Sequence, residues 1–292
     1  MENKPTFCIY HNDLDGRASA AIVRRKLEND LAFYGMSYGD PTPWAEIEEA
    51  ERVIIVDFSL SKEDMHKIHE EKDLMWIDHH KTALDEFGHH ALEWEGARDI
   101  GEAACVLTWR YFYPQQEVPK AIVLIGDRDI WRWEEKDTGP FNEGLHQRDT
   151  HPENRTLWEP LLDNDLDLVK EIIQEGELLL ESRLQEIKRD VRSYGYPVLF
   201  EDCRTLAINQ RGNGDLGARI RELGYEVGYC YIDNLIDGEL RTFVSLYSDK
   251  VDVSQIARKF GGGGHPGAAG FHFKRRETPF PPDAAVQILE ER

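Results

Sequence analysis

The triplet Asp78-His79-His80 follows directly on the apolar run Leu74-Met75-Trp76-Ile77. That run reads as a buried strand, and polar side chains at the C-terminal end of a parallel strand stand where open α/β sheets bind their ligands. Asp and His are also side chains that hold manganese, zinc or iron in hydrolytic sites. Three other segments repeat the pattern. Cys8-Ile9-Tyr10 runs into His11, Asp13 and Asp15, with Gly16 and a small-residue helix start behind them. Val53-Ile54-Ile55-Val56 ends in Asp57. Ala121 to Ile125 reads as a strand leading through Gly126 to Asp127-Arg128-Asp129. A single Asp after a strand is an ordinary turn former or helix cap, but four such ends, one carrying Asp-His-His, point to a shared metal site. Two divalent ions about 3.5–4 Å apart can clamp the attacking and departing oxygens of a phosphoryl group, which calls for a dense set of carboxylates and imidazoles. His11, Asp13, Asp15, Asp57, Asp78, His79 and Asp127 could supply that set. Asp57, alone at the end of a central-looking strand, is the natural bridge between the ions.

These motifs resemble those of the DHH phosphoesterase superfamily, which is named for the triplet. His11-Asn12-Asp13-Leu14-Asp15-Gly16 is similar to the family's first motif, Asp57 to its second, Asp78-His79-His80 to its third and Asp127 to its fourth. Far downstream, Gly261-Gly262-Gly263-Gly264-His265-Pro266-Gly267-Ala268-Ala269-Gly270 looks like the signature of the DHH-associated substrate-binding domain. The Asn-Asp-Leu-Asp-Gly form of the first motif resembles the nano-RNase and exopolyphosphatase-like branch. The resemblance implies a hydrolase with two divalent ions, Mn2+ first, with Mg2+ or Co2+ as alternatives. Asp13, Asp15, Asp57, His79 and Asp127 would be ligands, with Asp57 bridging. His80 would face the substrate phosphate and serve the leaving oxygen, and Asp78 would be a ligand or orient an imidazole. His265, with Gly262, Gly263 and Gly264, would contact a substrate phosphate. Two positions depart from the pattern. Many relatives carry the first-motif histidine where this chain has Ile9, which leaves His11 open as a ligand. Relatives often carry an arginine where Ser245-Leu246-Tyr247-Ser248 has Tyr247; Arg241 or Lys250 could substitute for it, or Tyr247 could stack on a base.

Elements that could position these groups emerge from the periodicities. Up to about residue 160, short apolar strands alternate with helical stretches, the pattern of an α/β fold with a parallel doubly wound sheet. Ser61 to Lys72 reads as a helix capped by Ser61, and Gly101 to Phe112 as another. Residues 163–194 read as one long charged helix. From Pro197 a strand-rich pattern returns, with helices at about 215–223 and 252–260. The expected organisation is a catalytic metal-binding domain over 1–162, a helical linker over 163–196 and a smaller α/β substrate-binding domain over 197–292, with the catalytic cleft between the two domains.

The chain has 292 residues and a formal net charge of −21. Such acidity argues against tight binding of long nucleic acid, which requires many phosphates to be neutralised, but a short substrate held by metals and a few cations remains compatible. Four consecutive glycines leave backbone N–H groups open to an anion. The four cysteines, Cys8, Cys105, Cys203 and Cys230, form no Cys-x-x-Cys pair and read as reduced thiols of a cytoplasmic protein. No apolar run is long enough for a membrane span; a homodimer is compatible with the composition. Arg128 could touch a phosphate and Asp129 orient a ligand. Trp131, Trp133 and Trp158 could stack nucleobases or fill a core, and His89-His90 read as a loop, with the metal site as the alternative. The expected activity is manganese-dependent hydrolysis of short oligonucleotides by a metal-activated water. A small-molecule phosphatase acting on polyphosphate, a 3′-phosphoadenosine nucleotide or a cyclic nucleotide is the alternative, and a nucleotide-sensing module the non-enzymatic one.

Overall fold

The computed structural model describes residues 5–27, 31–88 and 93–289; His89 and His90 lie outside them. The chain divides into two compact units, Met1–Leu180 and Glu181–Arg292.

In the first unit, strands β1 (Thr6–His11), β2 (Leu31–Met36), β3 (Arg52–Val56) and β4 (Asp73–Ile77) form a parallel sheet in the order β2-β1-β3-β4. Alternate residues face opposite ways, as strand geometry requires. Ile9, Ile55 and Trp76 pack in one apolar cluster, and Cys8, Tyr10, Ile54, Val56, Met75 and Ile77 in another. Both faces are therefore apolar, the usual condition of a parallel sheet covered on both sides. The register sets Tyr10 opposite Val56 and Val56 opposite Ile77. The next residues along each strand, His11, Asp57 and Asp78, consequently emerge side by side at the C-terminal edge of the sheet.

Helix α1 (Leu14–Leu27) comes after β1, and α2 (Trp44–Glu49), α3 (Lys62–Glu71) and α4 (Lys81–Phe87) come after β2, β3 and β4. Ser61 caps α3, accepting from the Asp64 N–H at 3.1 Å. Five helices complete the unit or leave it: α5 (Ala104–Phe112), α6 (Lys120–Asp129), α7 (Thr138–Leu145), α8 (Arg155–Leu162) and α9 (Leu166–Tyr194). Ile22, Trp109, Ile122, Phe141, Trp158 and Ile172 share a core among them, so Trp158 is a core residue and presents no stacking surface. The division between units falls inside α9, whose Ile187 and Val191 join an apolar cluster of the second unit.

The segment expected as a fourth strand, Ala121 to Ile125, is instead the body of α6. An apolar run of five residues cannot be assigned by periodicity alone. Here Pro119 precedes the first turn, and Ala121, Ile122, Leu124 and Ile125 are buried while Val123 is only partly so, a helical stripe.

The second unit is a seven-stranded mixed sheet, with α10 (Gly214–Glu222) and α11 (Val253–Lys259) packed on it. Its strands are β5 (Tyr196–Phe200), β6 (Cys203–Ile208), β7 (Val227–Ile236), β8 (Glu239–Tyr247), β9 (Gly263–His265), β10 (Ala268–Lys274) and β11 (Val286–Ile288), in the order β11-β5-β6-β7-β8-β10-β9. Among the described residues of this sheet, only β6 and β7 pair in parallel. Phe200, Tyr229, Val244, Leu246 and Phe271 make its core. All four cysteines are free, and among the described residues no helix is long and apolar enough to cross a membrane.

Candidate metal centre

The site is built where β1, β3 and β4 end. After His11 the chain turns sharply into α1, because the Gly16 N–H donates to Asp13 Oδ1 at 3.0 Å. A Cβ on Gly16 would lie 2.1 Å from the His11 carbonyl oxygen, so only glycine permits the turn. Asp15, in the first turn of α1, is buried, and its two oxygens accept from the Ala104 and Cys105 N–H groups, each at 2.8 Å. The acidic side chain thus caps the N-terminus of α5, where free N–H groups favour negative charge. Asp57 takes a left-handed backbone conformation, φ 56°, immediately after β3. Such a conformation is costly for a non-glycine residue and concentrates at functional positions.

These turns bring the ring and carboxyl groups together. His11 Nδ1 lies 2.7 Å from Asp13 Oδ2 and 3.6 Å from Asp57 Oδ2. His79 Nε2 lies 3.2 Å from Asp57 Oδ1, 3.4 Å from Asp129 Oδ2 and 3.7 Å from Asp15 Oδ2. Three triads have their ligand atoms within 4.8 Å of one another: His11-Asp13-Asp57, Asp15-His79-Asp129 and Asp57-His79-His80. Asp57 belongs to two of them, with Oδ2 toward His11 and Oδ1 toward His79. It is 1 % exposed, and neither oxygen has a hydrogen-bond partner. A buried carboxylate left this way is strongly unfavourable unless a cation meets it.

The electrostatics agree with that need. Burial pushes the Asp57 carboxyl up to about 8, with the charges of Asp13 and Asp129 adding to the shift. Burial likewise raises Asp15 to about 7, reinforced by Asp57, and Asp129 to about 7, reinforced by Asp15. The Asp13 carboxylate, and after it that of Asp57, raises His11 to about 10. Asp13 is partly desolvated, but its bonds from His11 and the Gly16 N–H outweigh this and hold it at about 2. Among the described residues, no Lys or Arg forms an ion pair with Asp13, Asp15, Asp57, Asp78 or Asp129. The raised values favour protons on these carboxyls, which ion binding would displace.

Other expected residues stand apart from the triads. Asp78 is buried, and its Oδ1 accepts from the His79 and His80 N–H groups at 2.8 and 3.2 Å and lies 2.7 Å from His80 Nδ1. It orients His80 and belongs to none of the triads. Asp127 is not brought into the cluster: its carboxylate accepts from the Glu134 and Glu135 N–H groups at 3.0 and 3.2 Å and from the Thr138 hydroxyl. Two residues apart on one helix point to nearly opposite sides, so the change from strand to helix sends Asp129 to His79 and Asp127 into the following loop. Arg128 lines a cavity of about 260 Å3 together with Asp13, Asp15, Asp129 and Trp131.

In the second unit, His265 is exposed on β9, paired in register with Ala268. Gly262 and Gly264 are close-packed positions, where a Cβ would lie 2.0 Å from the Gly270 carbonyl oxygen and 2.6 Å from Ala269 Cα, whereas Gly263 faces open space. Arg241 pairs with Glu239 at 3.3 Å. The Tyr247 ring lies against Gly212 and Gly217, where a Cβ would come within 2.9 and 2.5 Å of it, so it is a packing residue of α10 more than a free stacking surface. Sequence reasoning missed Asp129 as the group that reaches His79, although the Asp-x-Asp spacing was visible.

No family model matches the chain. Among curated proteins, uncharacterized protein R106 of Acanthamoeba polyphaga mimivirus is 28% identical over 231 residues, covering 76% of this chain and 53% of its own length. The chain thus spans about half of that relative. Oligoribonuclease NrnB of Bacillus subtilis is 23% identical over 296 residues, covering 89% of this chain and 71% of NrnB. Among solved structures, the DHH domain of PF0399, a member of a family of ribosomal proteins, superposes with a TM-score of 0.55 at 15% identity, covering 92% of this chain and 82% of that one. In this chain the triplet lies at the end of β4. In fold the chain is similar to that DHH domain. The α/β architecture expected from the sequence is present in both units, with the parallel sheet in the first and a mixed sheet in the second.

Proposed function

We propose that this protein is a phosphodiesterase of the DHH type, manganese-dependent, that hydrolyses short oligonucleotides. The observation that carries the reading is Asp57: buried, unpartnered on both oxygens, and shared by two triads. Carboxylate and imidazole donors suit Mn2+, Mg2+ or Co2+. His11, Asp13 and Asp57 would hold one ion, Asp15, His79 and Asp129 the other, with Asp57 Oδ1 directed at the second group. Divalent ions held by these residues would supply a water of lowered pKa and neutralise charge growing on the phosphoryl oxygens.

The chain's own groups supply the rest. Asp78 fixes the His80 ring through Nδ1 and raises its pKa, which favours the protonated ring near neutrality and leaves Nε2 to give a proton to the leaving oxygen. His265 and the glycine segment are the substrate contacts assigned to the second unit. A cytoplasmic location belongs to the same reading, since Cys8, Cys105 and Cys230 are buried free thiols. The name of the Bacillus relative, an oligoribonuclease, supports a short RNA substrate. The deciding experiment is an Mn2+-supplemented panel of diribonucleotide, cyclic dinucleotide, 3′-phosphoadenosine nucleotide and inorganic polyphosphate. The reading expects turnover of the diribonucleotide to mononucleotides, abolished by EDTA. Turnover of polyphosphate alone would overturn the substrate assignment.

A further inference from the structure

The loop after α6 exposes two tryptophans in an unfavourable way. Trp131 is 78 % and Trp133 47 % exposed, and both have φ 55°, the left-handed region that bulky side chains avoid. Neither exposure nor backbone conformation follows from packing. The loop is nevertheless firmly built. The Asp127 carbonyl accepts from the Arg132 and Trp133 N–H groups at 3.0 and 3.4 Å, and the Asp127 carboxylate binds the next turn. Arg132 is fixed to the Gly101 carbonyl at 2.8 Å and to Glu102 at 3.3 Å. Trp133 stands edge-on to Trp131, with ring centroids 5.8 Å apart at 63°. Such a loop places Trp131 in the lining of the cavity that contains Asp13, Asp15 and Asp129. Arg128 lines the same cavity. Its guanidinium lies 3.4 Å from His146 Nδ1, and among the described residues no carboxylate pairs with it.

We propose that Trp131 and Arg128 form a nucleotide subsite beside the acidic centre, the indole stacking on a nucleobase and the guanidinium holding a phosphate of the same nucleotide. An aromatic face accepts any base, and an unpaired guanidinium suits a phosphate. The inference rests on the reading of the centre as a phosphoester site and deepens it: the substrate is a nucleotide, because inorganic polyphosphate offers nothing for Trp131 to stack on.

Calorimetric titration of the Mn2+-loaded full chain with 5′-AMP and with ribose 5-phosphate tests it. Wild type should bind AMP about 10- to 100-fold more tightly. Trp131→Ala should bring AMP down to the level of ribose 5-phosphate without changing the latter, Trp131→Phe should keep most of the preference, and Arg128→Ala should weaken both ligands alike. Trp131→Gly should lose the preference while keeping or raising the thermal midpoint, since glycine is at ease at that φ. Equal binding of the two ligands by wild type, no binding of AMP, an unchanged preference in Trp131→Ala, or a midpoint lowered by several degrees in Trp131→Gly would each overturn the inference. Diribonucleotide hydrolysis, run in parallel, separates the two readings. Turnover without base preference removes the subsite alone, and base preference without turnover removes the proposed activity alone.

Discussion

Asp78 Oδ1 lies 2.7 Å from His80 Nδ1 and also accepts the backbone N–H groups of His79 and His80. One buried carboxylate therefore fixes both the direction of the imidazole and the turn that carries it. Asp78→Asn keeps the size but removes the charge. The expected result is a fall in kcat of roughly 10- to 100-fold, the usual cost of losing a partner that orients a site residue. Because Asp78 raises the His80 pKa, the limb of the pH–rate profile set by that ring should also move to lower pH. A profile that keeps its shape and position would assign Asp78 a purely structural part.

The two carboxylates at the end of α6 should separate cleanly. Asp129 faces His79 and Asp15, whereas Asp127 ties down the next loop. Asp129→Ala should weaken Mn2+ binding at least tenfold, read by calorimetry, with little loss of fold. Asp127→Asn should instead lower stability by about 2 kcal/mol, because charge-assisted bonds to a buried carboxylate are lost. Chemical denaturation measures that directly. The reverse pattern would restore Asp127 as a ligand.

Stability of the metal-free protein should fall as pH rises from 5 to 8.5. Asp15, Asp57 and Asp129 have folded values of about 7 to 8, above the ordinary carboxylate value. A raised carboxyl contributes stability below its unfolded pKa and loses it as pH climbs through the folded one. His11, raised to about 10, acts in the same direction above pH 6.5. Asp13, held at about 2, works the other way, but only below about pH 4. Saturating Mn2+ should flatten the dependence and raise the midpoint. Thermal melts in EDTA and in Mn2+ across this range test the prediction, and a metal-free midpoint that climbs with pH would contradict it.

Much of the site was legible because three strands in parallel register align the residues just past their ends. His11, Asp57 and Asp78 sit at equivalent positions after apolar runs, and alternation plus run length suffices to find such strands. The fourth segment misled for a physical reason. Ala121 to Ile125 is apolar enough for a buried strand, yet its burial stripe is helical, and that single change exchanges Asp127 for Asp129. The cap on Asp15 was not readable, since Ala104 and Cys105 lie 89 and 90 residues downstream and contribute only backbone N–H groups. Tyr247 looked like a free ring at a recognition position; Gly212 and Gly217, distant in sequence, make the space it fills.

Asp57 is proposed to join two cation sites that cleave a phosphodiester. That role is tested most directly by the rate of diribonucleotide hydrolysis against Mn2+ concentration for wild type and Asp57→Asn, each with a native circular-dichroism spectrum. Wild type should be silent in EDTA and activated with a dependence steeper than first order in Mn2+, while Asp57→Asn stays at background at saturating metal. Metal-independent turnover, or a variant within tenfold of wild type, would contradict the account.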